Sequence, residues 1–240
     1  MQKKIIIYDF DGTLTPNPVT KFEILDKCGY ENGVNNLELV ENFQKRYKNE
    51  TNNFYEAVYK TFIEMVNKTE YKMSDSNISL GADRMEFNPG VIEYFENSKN
   101  DLVTNYILSS GLKTIIEKTK VADFFKDIYG TTFKYDDNGI AYDIDCLIDD
   151  ESKAYYVDKI MKDNNKSNCN NVIYVGDGLT DYYAMEYVKN NGGITIFVYY
   201  DEDSYDLIKA KESGVVSYFY KADYSTDSEL NKFIKKFINC

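Results

Sequence analysis

Residues 5–15 read IIIYDFDGTLT, four apolar β-formers that end abruptly in Asp9, Phe10, Asp11 and Gly12. A run this short, rich in isoleucine and stopped by turn residues, predicts a strand buried on both faces of a parallel sheet. In an extended chain Asp9 and Asp11 fall on the same side, about 6 to 7 Å apart, close enough to serve one reacting group. The same four residues would also make an ordinary Asp-Gly turn with a stray acid. The rest of the chain has to decide between a turn and a site.

Two further runs, TNYIL (104–108) and VIYV (172–175), repeat the pattern of a β-rich stretch followed by small or acidic residues and then a helical period. That alternation predicts an α/β fold with a mostly parallel sheet. Strand signals vanish between about 17 and 86, where Phe54, Val58, Phe62 and Met65 are spaced to share one helix face, so a helical module is inserted after the first strand. At FNPGVIEYF, Asn88 is placed to cap a helix with Pro89 in its first position and Val91, Ile92 and Phe95 as its buried stripe. Residues 133–142 read as a hairpin turning at Asn138-Gly139, and Thr226 with Glu229 forms the pattern of a capping box on a last helix.

Composition excludes several functions. The 240 residues contain no histidine, which removes imidazole bases, Ser-His-Asp triads and histidine metal sites, and leaves acid–base work to carboxylates, lysine or tyrosine. Cys28, Cys146, Cys169 and Cys240 are far apart without a CxxC pair, as expected of reduced thiols and a cytoplasmic address. A net charge of −12 argues against nucleic acid and anionic membranes as partners, since both are bound through lysine and arginine clusters. No apolar run reaches the length of a bilayer span, and the 23 tyrosines read as core and half-buried surface.

Three more sites follow predicted strands or the hairpin, where open α/β sheets place their ligands. Ser109-Ser110-Gly111 offers a hydroxyl and backbone N–H groups to a phosphate oxygen, at what the spacing predicts to be a helix N-terminus; a plain serine cap would look the same. Lys153 opens a helix after the hairpin, with Lys159 as its rival, and either would also serve as a solvated charge. In VIYVGDGLTD, Asp177 and Asp181 lie four apart, which stacks two carboxylates on one side of a helical turn. Such hard oxygen ligands suit Mg²⁺, which takes one or two carboxylates and keeps several waters.

In this order, DFDGT and GDGLTD resemble the first and last motifs of the haloacid dehalogenase superfamily of phosphohydrolases, with the serine and lysine between them. The resemblance implies a Rossmann-like core over 1–16 and 87–240 and a helical C1-type cap over 17–86. It implies a Mg²⁺-dependent hydrolase of small phosphorylated metabolites, with Asp9 as the nucleophile that becomes an aspartyl-phosphate and Asp11 as the acid and then the base. Asp9, the Asp11 carbonyl and Asp177 would hold Mg²⁺, Asp181 would support them, and Ser109, Ser110, Gly111 and Lys153 would cradle the phosphoryl oxygens. Asp11 would need a raised pKa, which the Asp9 carboxylate would supply and Mg²⁺ oppose.

The GDG form looks more like the phosphoserine phosphatase branch than the sugar-phosphate mutases. Arg46 and Arg84, the two arginines of the chain, both fall in or beside the insert and are the candidates to meet a substrate carboxylate. A phosphotransferase or phosphomutase of the same superfamily, or a non-catalytic binding module on its fold, is the alternative. Retention of all four acids favours turnover over mere binding.

Overall fold

The computed structural model describes residues 3–28, 37–98 and 102–239. Its centre is a seven-stranded sheet in the order β4-β3-β2-β1-β5-β6-β7, parallel throughout except for β4. The strands are β1 (Lys4–Tyr8), β2 (Val103–Leu112), β3 (Asp127–Tyr135), β4 (Ala141–Cys146), β5 (Val172–Gly176), β6 (Ile194–Tyr199) and β7 (Tyr218–Lys221). All five residues of β1 are buried, and so are all five of β5, its neighbour at the middle of the sheet. This is the α/β, Rossmann-like sheet that the alternation of strands and helices predicts.

Side-chain alternation along β1 splits the interior in two. Ile6, Tyr8 and Phe10 belong to one core, with Val91, Tyr94 and Phe95 of α4 (Val91–Asn97) and Leu230, Ile234 and Ile238 of α9 (Glu229–Asn239). Ile5 and Ile7 face the other core. That core is closed by α6 (Asp150–Asp163), α7 (Tyr182–Asn190) and α8 (Tyr205–Ser213). The period of two carries Asp9 and Asp11 past the last sheet pairing while Phe10 stays anchored against Phe87, ring centroids 6.3 Å apart.

Between β1 and α4 the described residues hold no strand. They form α1 (Leu37–Asn49), α2 (Phe54–Asn67), α3 (Asp75–Ser79) and two short 3-10 turns, Val19–Lys21 and Leu80–Arg84. The chain leaves and re-enters the sheet layer side by side, the Asn88 N–H donating to the Leu14 carbonyl at 2.9 Å. The hairpin β3–β4 turns at Asp136–Gly139, with Gly139 in the left-handed region, and its β4 arm packs on α2. Asn67 Nδ2, at the end of α2, donates to the Ala141 carbonyl at 2.7 Å, and the Ala141 N–H donates at 2.8 Å to the carbonyl of Met73 in the loop beyond the helix.

Four local expectations change. On α2 the buried stripe is Tyr59, Phe62, Ile63 and Val66, while Phe54 is half exposed. Phe43 of α1 and Phe133 of the hairpin press on α2 at Phe62 and Tyr59, and this two-sided packing rotates the buried face from the expected one. Asn88 does not cap α4, which starts at Val91 behind a left-handed Gly90; its side chain instead reaches back to the Thr13 carbonyl. Strand β2 runs on through Leu112, so Ser109, Ser110 and Gly111 lie at a strand end and not at a helix N-terminus. The last helix begins at Glu229 and is capped by Ser228 Oγ, which accepts from the Asn231 N–H at 3.2 Å, leaving Thr226 outside.

Cys28 is buried, Cys146 and Cys169 are free thiols, and Cys240 lies outside the described residues. Among the described residues no helix is long and apolar enough to cross a membrane.

Candidate active site

The ends of β1, β2 and β5 and the first turn of α6 bring the acidic residues and one lysine to the same edge of the sheet. After β1 the chain turns sharply at Gly12, whose φ of +79° is a conformation that suits glycine. A Cβ there would lie 2.0 Å from Asp177 Oδ2, so the glycine lets the two acidic loops touch. Thr13 Oγ1 then donates to Asp177 Oδ1 at 2.8 Å, joining the first motif to the last.

Three residues from elsewhere in the chain pin this loop. Asn88 Nδ2 and the Tyr224 hydroxyl donate to the Thr13 carbonyl at 2.9 and 3.2 Å, and the Tyr200 hydroxyl donates to the Gly12 carbonyl at 2.8 Å. From the sequence these tyrosines are expected only as core or half-buried surface. Their hydroxyls satisfy main-chain carbonyls that a ligand-facing loop would otherwise leave unpaired.

Lys153 is fully buried. Helix α6 begins with a reciprocal capping box, Asp149 accepting from the Ser152 N–H at 2.9 Å while Ser152 Oγ accepts from the Asp149 N–H at 2.8 Å. That start places Lys153 in phase with Val157, Ile160 and Met161, the apolar stripe of the helix. Its Nζ lies 2.7 Å from Asp181 Oδ1 and 3.3 Å from Asp9 Oδ1. Lys159 is out of phase and pairs at the surface with Asp163 at 2.9 Å.

Asp181 is saturated by its own protein. Oδ1 accepts from Lys153 Nζ and, at 2.6 Å, from the Tyr174 hydroxyl; Oδ2 accepts from the N–H groups of Asp177 and Gly178 at 3.2 and 3.3 Å. The 3-10 turn Leu179–Asp181 folds the carboxylate back over β5, and a Cβ on Gly176 would sit 2.3 Å from it, which accounts for the first glycine of GDG.

Asp9 differs. Its Oδ1 is buried and, although Lys153 is near, makes no hydrogen bond. Burial pushes its pKa up, Lys153 opposes and the Asp181 charge adds, for a value of about 6. Asp11 accepts from the Val19 N–H at 2.8 Å, and burial followed by the charge of Asp9 pushes it up to about 8. The larger cause is thus loss of water rather than the neighbouring carboxylate that the sequence pointed to. Asp177 is raised well above the usual range by burial and by the charges of Asp9 and Asp181, against the Thr13 hydroxyl.

Ligand oxygens of Asp9, Asp177 and Asp181 lie within 4.8 Å of one another. With Asp181 occupied by four internal donors, Asp9 and Asp177 are the pair left to hold a hard divalent cation. Their mutual repulsion in a site with one lysine is what such an ion would relieve, so the donor set fits Mg²⁺.

At the end of β2, Ser109 is buried and its Oγ accepts from the Gly111 N–H at 3.0 Å, whereas Ser110 Oγ is buried without a partner. A Cβ on Gly111 would be 2.9 Å from Asp11 Oδ2 and 3.2 Å from Ser109 Oγ, which sets these residues against the Asp11 carboxylate.

From the insert, α2 reaches the same place. The Tyr59 hydroxyl donates to the Ser110 carbonyl at 2.6 Å, Asn53 Nδ2 to Asp149 Oδ2 at 2.6 Å, and the Tyr55 hydroxyl lies against Asp150. Tyr55 and Tyr59, four apart on α2, share a face, with Tyr59 inside the buried stripe, and that spacing is the signal the sequence offers. Arg46 and Arg84 join no carboxylate of the cluster: Arg46 pairs with Glu64 and Glu50, and Arg84 with Glu23 at 2.8 Å and Asp26 at 3.1 Å.

Comparison with known proteins gives a family and a fold. A family model described as haloacid dehalogenase-like hydrolase matches residues 6–186. Among solved structures, a substrate-bound phosphoserine phosphatase complex aligns over 98% of this chain and 99% of its own at 18% identity and a TM-score of 0.68. A phospho-aspartyl intermediate analogue of phosphoserine phosphatase does so over the same shares at 18% and 0.67. A phosphoserine phosphohydrolase-like protein from Francisella tularensis covers 98% and 100% at 17% and 0.63. Among curated protein sequences none matches.

Proposed function

The chain belongs to the haloacid dehalogenase-like hydrolase family, and from that premise we propose that it is a Mg²⁺-dependent phosphatase of small phosphate monoesters, working through an aspartyl-phosphate on Asp9. The observation that carries this reading is the buried Asp9 oxygen without a hydrogen bond, set 3.3 Å from a fully buried lysine and beside an acid of raised proton affinity. The similar structures of phosphoserine phosphatase, one of them a phospho-aspartyl intermediate analogue, support the same chemistry.

In this reading Asp9 attacks phosphorus, forming the acyl-phosphate bond as the P–O bond to the alcohol breaks. Asp11, held as the acid near neutral pH by its burial, donates its proton to the leaving oxygen, then takes one from the water that attacks the aspartyl-phosphate and frees Asp9. Lys153, with Ser109, Ser110 and Gly111, would hold the phosphoryl oxygens. Asp9, the Asp11 carbonyl and Asp177 would hold Mg²⁺, and Asp181 would fix Lys153 and the Asp177 loop. The bound ion would supply charge neutralisation for the transferring group. Residues 17–86 would form the cap over the core of 1–16 and 87–240, closing the site with α2.

The test is release of inorganic phosphate from a generic aryl phosphate, with Mg²⁺ and with a chelator, for the wild type and for Asp9→Asn. Turnover should require the metal and fall by on the order of 10⁴-fold or more in Asp9→Asn. Metal-independent turnover, or a fully active Asp9→Asn protein, would sink the mechanism. Release without any added acceptor separates a hydrolase from a transferase.

A further inference from the structure

Arg46, Arg84 and Lys60 of the insert are spent away from the site. Arg46 and Arg84 close ion pairs with glutamates and an aspartate of the insert, and Arg84 also lies over the Phe22 ring at 4.5 Å. Lys60, on α2 itself, pairs with Glu56 at 2.5 Å. Residues 29–36, GYENGVNN, add no lysine or arginine. The cation that acts on Asp9, Asp11, Asp150 and Asp177 alike is Lys153, already shared between Asp9 and Asp181.

What α2 brings instead is aromatic. Tyr59 is hydrogen-bonded to the Ser110 carbonyl, and Tyr55 faces Asp150 with the charges of Asp9 and Asp181 also bearing on it. Tyr55 stands edge to face with Phe54 at 6.0 Å, and Phe54 with Tyr47 at 6.1 Å; Phe54 is 52% exposed and Tyr47 45%. A half-exposed aromatic row therefore runs from solvent to the carboxylates, at the joint where Asn53 meets Asp149.

Resting on the phosphatase reading, we infer that the site takes monoesters whose alcohol is uncharged and carries a flat apolar face, and that it rejects alcohols bearing a second anion. A carboxylate next to the phosphate would come beside Asp150 and the Tyr55 and Tyr59 hydroxyls, where the cation at hand among the described residues, Lys153, is already paired with Asp9 and Asp181. A like charge placed without a partner in a poorly hydrated site is rejected strongly. A ring, by contrast, finds Tyr55 and Phe54 to lie against. Phosphoserine, the compound in the names of the similar structures, falls on the disfavoured side.

Four esters of alkyl alcohols separate the parts of this inference: benzyl phosphate, ethyl phosphate, phosphoglycolate and O-phosphoserine, each assayed with the full chain and Mg²⁺. Benzyl phosphate should exceed both carboxylate-bearing esters in kcat/KM by at least about tenfold, with ethyl phosphate between. In Asp150→Asn the ratio of ethyl phosphate to phosphoglycolate should shrink by about threefold or more, a ratio that any general loss of folded protein leaves untouched. Phosphoglycolate or phosphoserine turned over as well as benzyl phosphate, or an unchanged ratio in Asp150→Asn, would overturn the inference and leave the phosphatase reading standing. No turnover of any of the four by folded, Mg²⁺-supplied protein would overturn that reading and this inference with it.

Discussion

Lys153 and Arg84 are both basic residues paired with two acids, one at the edge of the sheet and one in the insert. Lys153 and its partners Asp9 and Asp181 are withdrawn from water almost completely, whereas the Arg84 side chain is 48% exposed. The difference teaches where charge matters in this molecule. An ion pair in water is screened and contributes little, while a desolvated one is costly to form and costlier to break, because the survivor is left as an unpaired buried charge. The sheet edge is thus built so that each acid depends on the lysine, and the insert so that its charges are replaceable.

Breaking the buried side should have the largest effect. Lys153→Met leaves Asp181 and Asp9 without their cation and should cost about 3–5 kcal/mol in urea unfolding of the metal-free protein. A loss under about 1 kcal/mol would mean the acids take up protons and the triad is not a unit. Next comes Tyr174→Phe, which removes one neutral donor to Asp181 and keeps the ring; about 1.5–3 kcal/mol is expected by the same measurement, with less Mg²⁺-supported activity as the Asp177 loop loosens.

The seam between the two regions should respond to pH. Burial raises the Asp149 pKa, but the N–H and hydroxyl of Ser152 and the Asn53 amide outweigh it, so the carboxylate sits below its usual range. The folded protein therefore binds this proton less readily than the unfolded chain. Its contribution is present above the unfolded pKa, about 4, and is lost as pH falls through the lower folded value. Asp149→Ala should cost about 1 kcal/mol at neutral pH, with the difference from wild type fading on acidification below about pH 4 in chemical unfolding. A pH-independent difference would locate the loss in packing. The smallest effect should be that of Arg84→Ala, within about 0.5 kcal/mol in stability and with unchanged kcat/KM on an aryl phosphate. A large change there would put Arg84 back at the site.

Much of the frame was legible because it is local. IIIYDFDGT and VIYVGDGLTD each hold a buried strand, a glycine turn and the acids that follow, within ten residues or so. Even the choice of Lys153 over Lys159 was written in the helical period, since Lys153 shares the stripe of Val157, Ile160 and Met161. The serine segment misread because Ser-Ser-Gly suits a cap and a strand end alike, and β3 beside β2 decided for the strand. The face of α2 misread because aromatic residues surround it, and Phe43 and Phe133, one on each side, chose which of them to bury.

By itself, then, the sequence determined the parallel α/β frame, the helical stretch between β1 and α4 and the acids placed after β1 and β5, because strand period, turn chemistry and motif spacing act over a few residues. Only the tertiary structure decided how each acid is used. Asp181 spends its oxygens on Lys153, Tyr174 and two N–H groups, while Asp9 Oδ1 accepts no hydrogen bond and has the Lys153 charge 3.3 Å away, and burial is the chief cause of the raised proton affinity of Asp11. It likewise decided that tyrosines rather than arginines face the carboxylates from α2. Lys153 reaches Asp181 from 28 positions away and Thr13 reaches Asp177 from 164, and no local pattern carries such pairings or the desolvation around them.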